Sequence, residues 1–484
     1  MSTPDSSPHA TRRQFLASSA GALSLASSLQ AAVPPAPASG KRPNLLFILG
    51  EGQRADAMSI AGNTLLKTPN HDRIGREGIR FTNAFVTNAL CAPARAVVLT
   101  GMNSHATGAL GNHVRDPLPS SIPLFTDLLH EAGYEVAMCG KAHIGNGVRE
   151  RYWDYYFAFN APATNYYHPK FSEGHDGKVG EPDTYNSYAD DLMTDKALTW
   201  LKQPREKPFC LMLWFQTPHA PFYRARRHLD LYNGVPIPKP DTFDDDLKGY
   251  PGKPRAFADA DNKIGTTVLG TDDPRSLEEL VKDYYAGLVS CDENLGRVFD
   301  WLESSGQMDD TAIIHCSDHG FFLGEWRMYD KRFMHEPSIR VPMQIRYPRL
   351  IPAGQTREEM VLNLDIAPTM LELAGLPVPS HMQGHSMLPL AKGEKPKWRE
   401  DWLYEYYEYP DAEKVKPHRG IRTTRYKYIH YYNEPQEYEL YDLGIDPGER
   451  NNLYGKPEHA ELTRHLHTRM DELRRQTHDP SLKS

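Results

Sequence analysis

Four short apolar runs punctuate the chain: PNLLFILG at 43–50, YEVAMCG at 134–140, PFCLMLWF at 208–215 and TAIIHCS at 311–317. Each is followed by polar residues and then a helical pattern, which predicts buried parallel strands in a doubly wound α/β sheet. The strongest helical signal covers 276–303. Ser276 and Glu279 form a capping box there, and Leu280, Tyr284, Leu288, Cys291, Leu295, Val298 and Leu302 recur at spacings of three and four. Between 224 and 275 the chain is rich in Pro, Asp and Gly without periodicity, which predicts a long excursion loop. After LDIAPTMLELAGLPVPSH the pattern changes. GIRTTRYKYIHYY, a turn at NEPQE and YELYDL predict antiparallel strands, followed by the Asp446-Pro447-Gly448 turn. Leu462, Leu466, Met470 and Leu473 then mark a helix that covers that sheet. The reading is a large domain over 39–375 and a smaller C-terminal subdomain over 376–484.

The N-terminus has a different character. Thr11-Arg12-Arg13-Gln14-Phe15-Leu16 leads into ASSAGALSLASSL and then AAVPPAPASG, the order of an export signal with a twin-arginine start. Residues 1–38 are therefore expected to be a signal and linker that engage the twin-arginine export machinery, leaving a periplasmic or secreted protein. No later apolar run is long enough to span a bilayer, so stable membrane insertion is not expected. A formal net charge of −8 with no basic block leaves no nucleic-acid footprint, and an anionic substrate must be met by local cations.

Export sharpens the question of the five cysteines, an odd number in a compartment that favours disulfides. Cys139, Cys210 and Cys316 sit in apolar runs and Cys291 on the apolar stripe of the long helix, so these four read as buried small hydrophobes. Cys91 is left over, in NALCAPARAVVLTG.

The polar residues after each apolar run carry the candidate chemistry: Gly50-Glu51-Gly52-Gln53-Arg54, Lys141-Ala142-His143, Thr217-Pro218-His219 and Asp318-His319-Gly320. Ligands of open α/β sheets bind at the carboxyl ends of the strands, so these four groups are expected to converge on one crevice. Cys91 belongs in the same crevice. Pro93 suits the first turn of a helix, free amides there favour an anion, and Arg95 adds charge one turn in.

Cys91-Ala92-Pro93-Ala94-Arg95 followed by Leu99-Thr100-Gly101 resembles the signature of formylglycine-dependent sulfatases, in which the cysteine is oxidised to an aldehyde by a formylglycine-generating enzyme. The resemblance extends through TPNHDRIGREGIRFTNAF, GKAHIG, PHAPF, SDHGFFLGE, SIRVP, MQGHS and ELYDLGIDPGERNNL. It implies an alkaline-phosphatase-like fold, a mixed sheet flanked by helices with a small C-terminal domain. It also implies sulfate monoester hydrolysis. A hydrated aldehyde attacks sulfur through one hydroxyl and expels sulfate by re-forming the carbonyl with the other, which a serine or thiol nucleophile cannot do. By motif position, Arg95 would hold the hydrate, Lys141 and Lys331 the sulfate oxygens, His143 would assist elimination, and His219 would face the leaving oxygen.

The resemblance also implies Ca²⁺ bound by an acidic pair after the first strand and Asp318-His319 after the later one. Here the first pair is Glu51-Gly52, and Gly52 has no side-chain ligand, so Glu51, Asp318 and His319 are expected to hold a divalent ion more weakly, with Gln53 or water filling the gap. The aromatic stretches at 151–169 and 402–422, with His385, His418 and Arg419, are expected to frame a cleft for a sulfated saccharide. The second stretch is similar to those of bacterial glycan sulfatases, including N-acetylglucosamine-6-sulfatase-like enzymes. Three other readings fit the same residues: a phosphonate or phosphate monoester hydrolase of the same superfamily, a glycan-binding pseudosulfatase, and an ordinary cysteine hydrolase.

Overall fold

The computed structural model describes residues 41–482 apart from 113–117, 246, 248–252, 266–274 and 411–412. The export segment expected at 1–38 lies outside the described residues. Ten strands form the large sheet, in the order Gln355–Arg357, Ile79–Phe81, Met343–Arg346, Thr311–Ser317, Asn44–Gly50, Phe209–Trp214, Glu135–Lys141, Tyr155–Phe159, Lys170–His175 and Lys178–Thr184. Its centre holds the four apolar runs, all parallel. Met343–Arg346 and Lys170–His175 pair antiparallel with their inner neighbours, so the sheet is mixed.

Continuous apolar strands are required because both faces of the sheet are covered. Along Asn44–Gly50, Leu45, Phe47 and Leu49 enter one core while Leu46 and Ile48 enter the other, as alternate side chains must. The first core takes Val97 and Val98 of the Cys91–Thr100 helix with Ile366 and Met370 of Ile366–Leu373. The second takes Met193 and Ala197 of Ala189–Leu201 and the Cys291, Leu295, Val298 and Leu302 stripe of Leu277–Ser304. That long helix begins at Ser276, whose side chain accepts from the Glu279 amide while Glu279 caps the Ser276 amide, the predicted box.

Four antiparallel strands, Asp401–Tyr406, His418–Thr423, Tyr426–Tyr431 and Glu437–Asp442, form the C-terminal sheet. Leu466 and Met470 of the Ala460–Gln476 helix are buried on Leu403, Ile421, Tyr428 and Leu440, with Leu462 and Leu473 flanking them. The excursion between 224 and 275 carries, among its described residues, single turns at Arg226–His228 and Arg255–Ala258 and a lone antiparallel bridge from Lys263 to Met328. Its Lys253 ammonium reaches across to Tyr441 (2.7 Å) and Glu439 (3.2 Å), tying the loop to the small sheet.

Candidate active site

The register sets the site. Gly50 pairs with Ser317 and Gly140 with Trp214, so the residues that leave these strands emerge side by side. Glu51 follows Gly50, Asp318 follows Ser317, and Lys141 ends its strand. Gly52 has φ +59°, in the left-handed region that glycine enters without a Cβ penalty, and this turn aims its amide at Asp318 Oδ1 (3.0 Å). Gly140 is needed for a second reason: a Cβ there would lie 1.9 Å from the Trp214 carbonyl oxygen.

Cys91 is the first residue of its helix, and it is fully buried. The helix ends at Gly101, whose left-handed φ of +65° lets its amide close on the Val97 carbonyl. Cys91 Sγ lies 3.3 Å from Glu51 Oε1 and 3.4 Å from His319 Nε2. Arg95, one turn on, donates from Nη2 to Glu51 Oε2 (2.7 Å) and from Nε and Nη2 to Asp318 Oδ2 (3.0 and 2.8 Å), while Nη1 donates to the Lys141 carbonyl. The guanidinium therefore serves the two carboxylates rather than pointing freely at residue 91. Lys141 Nζ adds a 2.7 Å bond to Glu51 Oε2.

Burial pushes the Glu51 carboxyl up, but the Lys141 charge, the His319 bond, His219 and Arg95 outweigh it and hold it well below the usual range. Asp318 goes the other way, to about 6, because burial and the neighbouring Glu51 charge outweigh His319 and Arg95. The Cys91 thiol is raised by burial and by Glu51, yet Lys141, Lys331 and His319 together bring it well below an ordinary thiol. Burial lowers His143 to about 4, so its ring is neutral at pH 7. His219 is also lowered, by burial first and then by Lys141.

His219 and His319 are braced alike. Each Nδ1 lies 2.7 Å from a backbone carbonyl, of Ala220 and Gly320 respectively, which makes Nδ1 the donor and turns Nε2 toward the site. Lys331 is 5% exposed and, with Glu51, Gly52, His219, His319 and Asp330, lines a small cavity of about 20 Å³ at the strand ends. Sequence reasoning passed over Asp330 and Arg332, although both flank Lys331 in YDKRFMHE. Asp330 pairs with Lys331 (3.1 Å) and with Arg332, and Arg332 reaches Glu413 (2.8 Å). Both flanking residues hold left-handed φ, +79° and +89°, a cost carried where the lysine must be aimed.

The three residues expected on the saccharide are not gathered here. His385 lies beyond the far end of the Cys91 helix, where the Gln383 amide meets the Gly101 carbonyl (2.7 Å). It lines a separate groove of about 1240 Å³ with Trp398 and Arg399, and its Nδ1 accepts from Arg399. His418 is fully buried among Phe333, Tyr404, Tyr406 and Tyr431, its Nδ1 bonded to the Lys416 carbonyl. Arg419 stacks on Tyr432 and bonds Ser481 near the C-terminus. The aromatic stretches are mostly core: Trp153, Tyr156, Phe157, Tyr404 and Tyr406 are buried, while Tyr152 and Tyr409 remain exposed. Gln53 also turns inward, its Oε1 accepting from His315 (2.9 Å), and so is no ligand beside Glu51.

Candidate metal ligands do converge: atoms of Glu51, Cys91, Asp318 and His319 lie within 4.8 Å of one another. Two carboxylates and a braced imidazole fit a divalent ion. Gly52 faces the same point with a donor amide, which repels a cation.

The sulfatase family profile matches residues 43–376, and a profile for the C-terminal region of N-sulphoglucosamine sulphohydrolase matches 324–476. The chain belongs to the sulfatase family. It is 37% identical to an N-acetylglucosamine-6-O-sulfatase of Bacteroides thetaiotaomicron, over 95% of this chain and 90% of that one. A solved structure in complex with its substrate D-glucosamine-2-N,6-O-disulfate superposes with a TM-score of 0.84 at 35% identity, over 92% of this chain and all of the other. A multifunctional alkaline phosphatase superfamily protein of Trinickia caryophylli is 30% identical over 87% of this chain and 93% of its own.

Proposed function

We propose that this sulfatase hydrolyses a sulfate ester on an amino sugar, with Cys91 matured to formylglycine. The observation that carries the reading is Cys91 at the amino end of a buried helix, ringed by Arg95, Lys141, His219 and Lys331, in a chain similar along its length to a glucosamine sulfatase. A formylglycine hydrate supplies one hydroxyl to attack sulfur and a second through which the carbonyl re-forms.

The side chains of the site account for the remaining demands of the reaction. Lys141 and Lys331 offer ammonium charge to sulfate oxygens in a setting with little competing water. His219, its Nδ1 committed to Ala220, turns Nε2 toward the departing sugar oxygen; burial disfavours the imidazolium, so only the protonated form of the ring, which a bound sulfate favours, gives a proton from Nε2, and it does so as a stronger acid. His143, neutral at pH 7, takes a proton from the residue 91 hydroxyl. Arg95 locks Glu51 and Asp318 in place. Glu51, Asp318 and His319 would hold a divalent ion, which adds positive charge beside the sulfate.

The test is to produce the protein together with a formylglycine-generating enzyme, verify residue 91 by mass spectrometry of the 88–101 peptide, and assay sulfate release. Release from 6-O-sulfated N-acetylglucosamine, well above turnover of an aryl phosphonate ester, is expected. A phosphonate preference, or tight binding of the sulfated sugar without release by matured protein, overturns it. The twin-arginine start adds the proposal of export, checked by following a fusion of residues 1–40 to a reporter in cells with and without the twin-arginine translocase.

A further inference from the structure

We infer that the metal centre of this chain selects a borderline ion of the zinc class over calcium, with Glu51, Asp318 and His319 as its three protein ligands. The inference deepens the sulfatase reading and rests on it only for what the ion does there. Its basis is the number of donor atoms left free. Glu51 Oε2 is taken by both Arg95 and Lys141 (2.7 Å each), which leaves Oε1 facing Cys91 and His319. Asp318 Oδ2 is taken twice by Arg95, which leaves Oδ1, already sharing the Gly52 amide. Neither carboxylate can chelate with both oxygens.

Calcium needs six to eight oxygen ligands and usually reaches that number with bidentate carboxylates. This site offers two carboxylate oxygens, and Gly52 adds an N–H instead of a third. Asp330, the nearest further acid lining the cavity, is engaged by Lys331 and Arg332. The remaining donor is nitrogen. His319 Nε2 lies 3.4 Å from Glu51 Oε1 and 3.5 Å from Asp318 Oδ1, with Nδ1 held on the Gly320 carbonyl. An imidazole fixed through its other nitrogen is how proteins prepare a ligand for zinc and similar ions. Three protein ligands with one position left for residue 91 or the substrate is the count of a four-coordinate catalytic zinc site. His219, braced in the same manner with Nε2 3.9 Å from Glu51 Oε1, stands as a neighbour to that open position.

The experiment uses the full chain carrying Cys91→Ser, so that no thiolate contributes. After metal stripping, calorimetric titration with Zn²⁺ and with Ca²⁺ is expected to show one Zn²⁺ site at least about tenfold tighter than Ca²⁺. The chain has 21 histidines, so the decisive comparison is His319→Asn, which is expected to weaken that Zn²⁺ site about 10–100-fold and leave Ca²⁺ nearly unchanged. Co²⁺ loaded into the Cys91→Ser protein reads coordination directly and does not depend on the second variant folding: intense visible absorption marks four-coordination. Calcium binding as tightly as zinc, zinc binding indifferent to His319→Asn, or the weak spectrum of six-coordinate cobalt overturns the inference. Sulfate release by matured wild-type protein is scored separately, so a failed metal assignment and a failed sulfatase reading give different results.

Discussion

At the scale of single residues, the site depends on charges buried together with their partners. Arg95 is fully buried and satisfies one oxygen on each of Glu51 and Asp318 while holding the Lys141 carbonyl. Arg95→Met removes that cation and keeps the bulk, leaving two buried carboxylates short of a partner. Stability is expected to fall by about 3–5 kcal/mol in denaturant titration, together with loss of sulfate release. An unchanged midpoint would show that water takes over the guanidinium's role. That Cys91, Lys331, His219 and His319 share one space was legible because each follows an apolar strand or sits in a recognisable motif. Asp330 and Arg332 were not, because their importance lies in a backbone φ that a one-dimensional pattern does not carry.

At the scale of elements, hydrophobic period and capping chemistry agreed with the structure where they were strong. The four apolar runs are the central parallel strands, and the 276–303 stripe is the Leu277–Ser304 helix to within a residue. Ser276→Ala deletes the cap at an exposed helix start, so a loss of about 1 kcal/mol is expected in thermal or denaturant melts, with kcat and KM unchanged. The long helix reaches the site through Tyr284, whose hydroxyl bonds the Gly52 carbonyl (2.7 Å), and through Cys291, whose thiol meets the Thr217 carbonyl (3.3 Å), both far from the cap, so a kinetic effect of Ser276→Ala would show coupling along the helix. The element least readable was the loop that carries Lys331. Tyr404 of the C-terminal sheet donates to the Arg332 carbonyl and accepts from the Ala89 amide (3.2 Å), clamping this loop against the segment before Cys91. Tyr404→Phe is expected to raise KM more than it lowers kcat in steady-state assays, since it frees Lys331, proposed above to bind sulfate, without touching the reacting atoms.

At the scale of the molecule, the C-terminal sheet is joined to the segment after Lys331 through buried charges. Glu336 of the Glu336–Ile339 turn faces Lys427 (3.0 Å) and Arg422 (3.1 Å) of the small sheet. Burial alone would raise its carboxyl, but the Lys427 and Arg422 charges bring it down to about 2. A folded value below the unfolded one of 4.5 means that the stabilisation is complete above pH 4.5 and is lost as pH falls toward 2. The shift corresponds to about 3 kcal/mol, so the denaturation midpoint should drop over that interval in wild type and much less so in Glu336→Gln. Equal slopes in the two proteins would assign the acid sensitivity elsewhere.

What the sequence by itself determined was local: strands that must be buried on both faces, a capped amphipathic helix, and a motif that marks Cys91. Periodicity and short spacings encode these because the interactions that cause them span a few residues. Only the tertiary structure decided which polar side chains share a space. It sent Gln53 to His315, sealed His418 among aromatic rings and put His385 at the wrong end of a helix of about 15 Å. It also tied one oxygen of each carboxylate to Arg95, which sets the coordination left for a metal. Those outcomes depend on register and packing between segments up to 266 residues apart, as Gly52 and Asp318 are, and no local pattern records them.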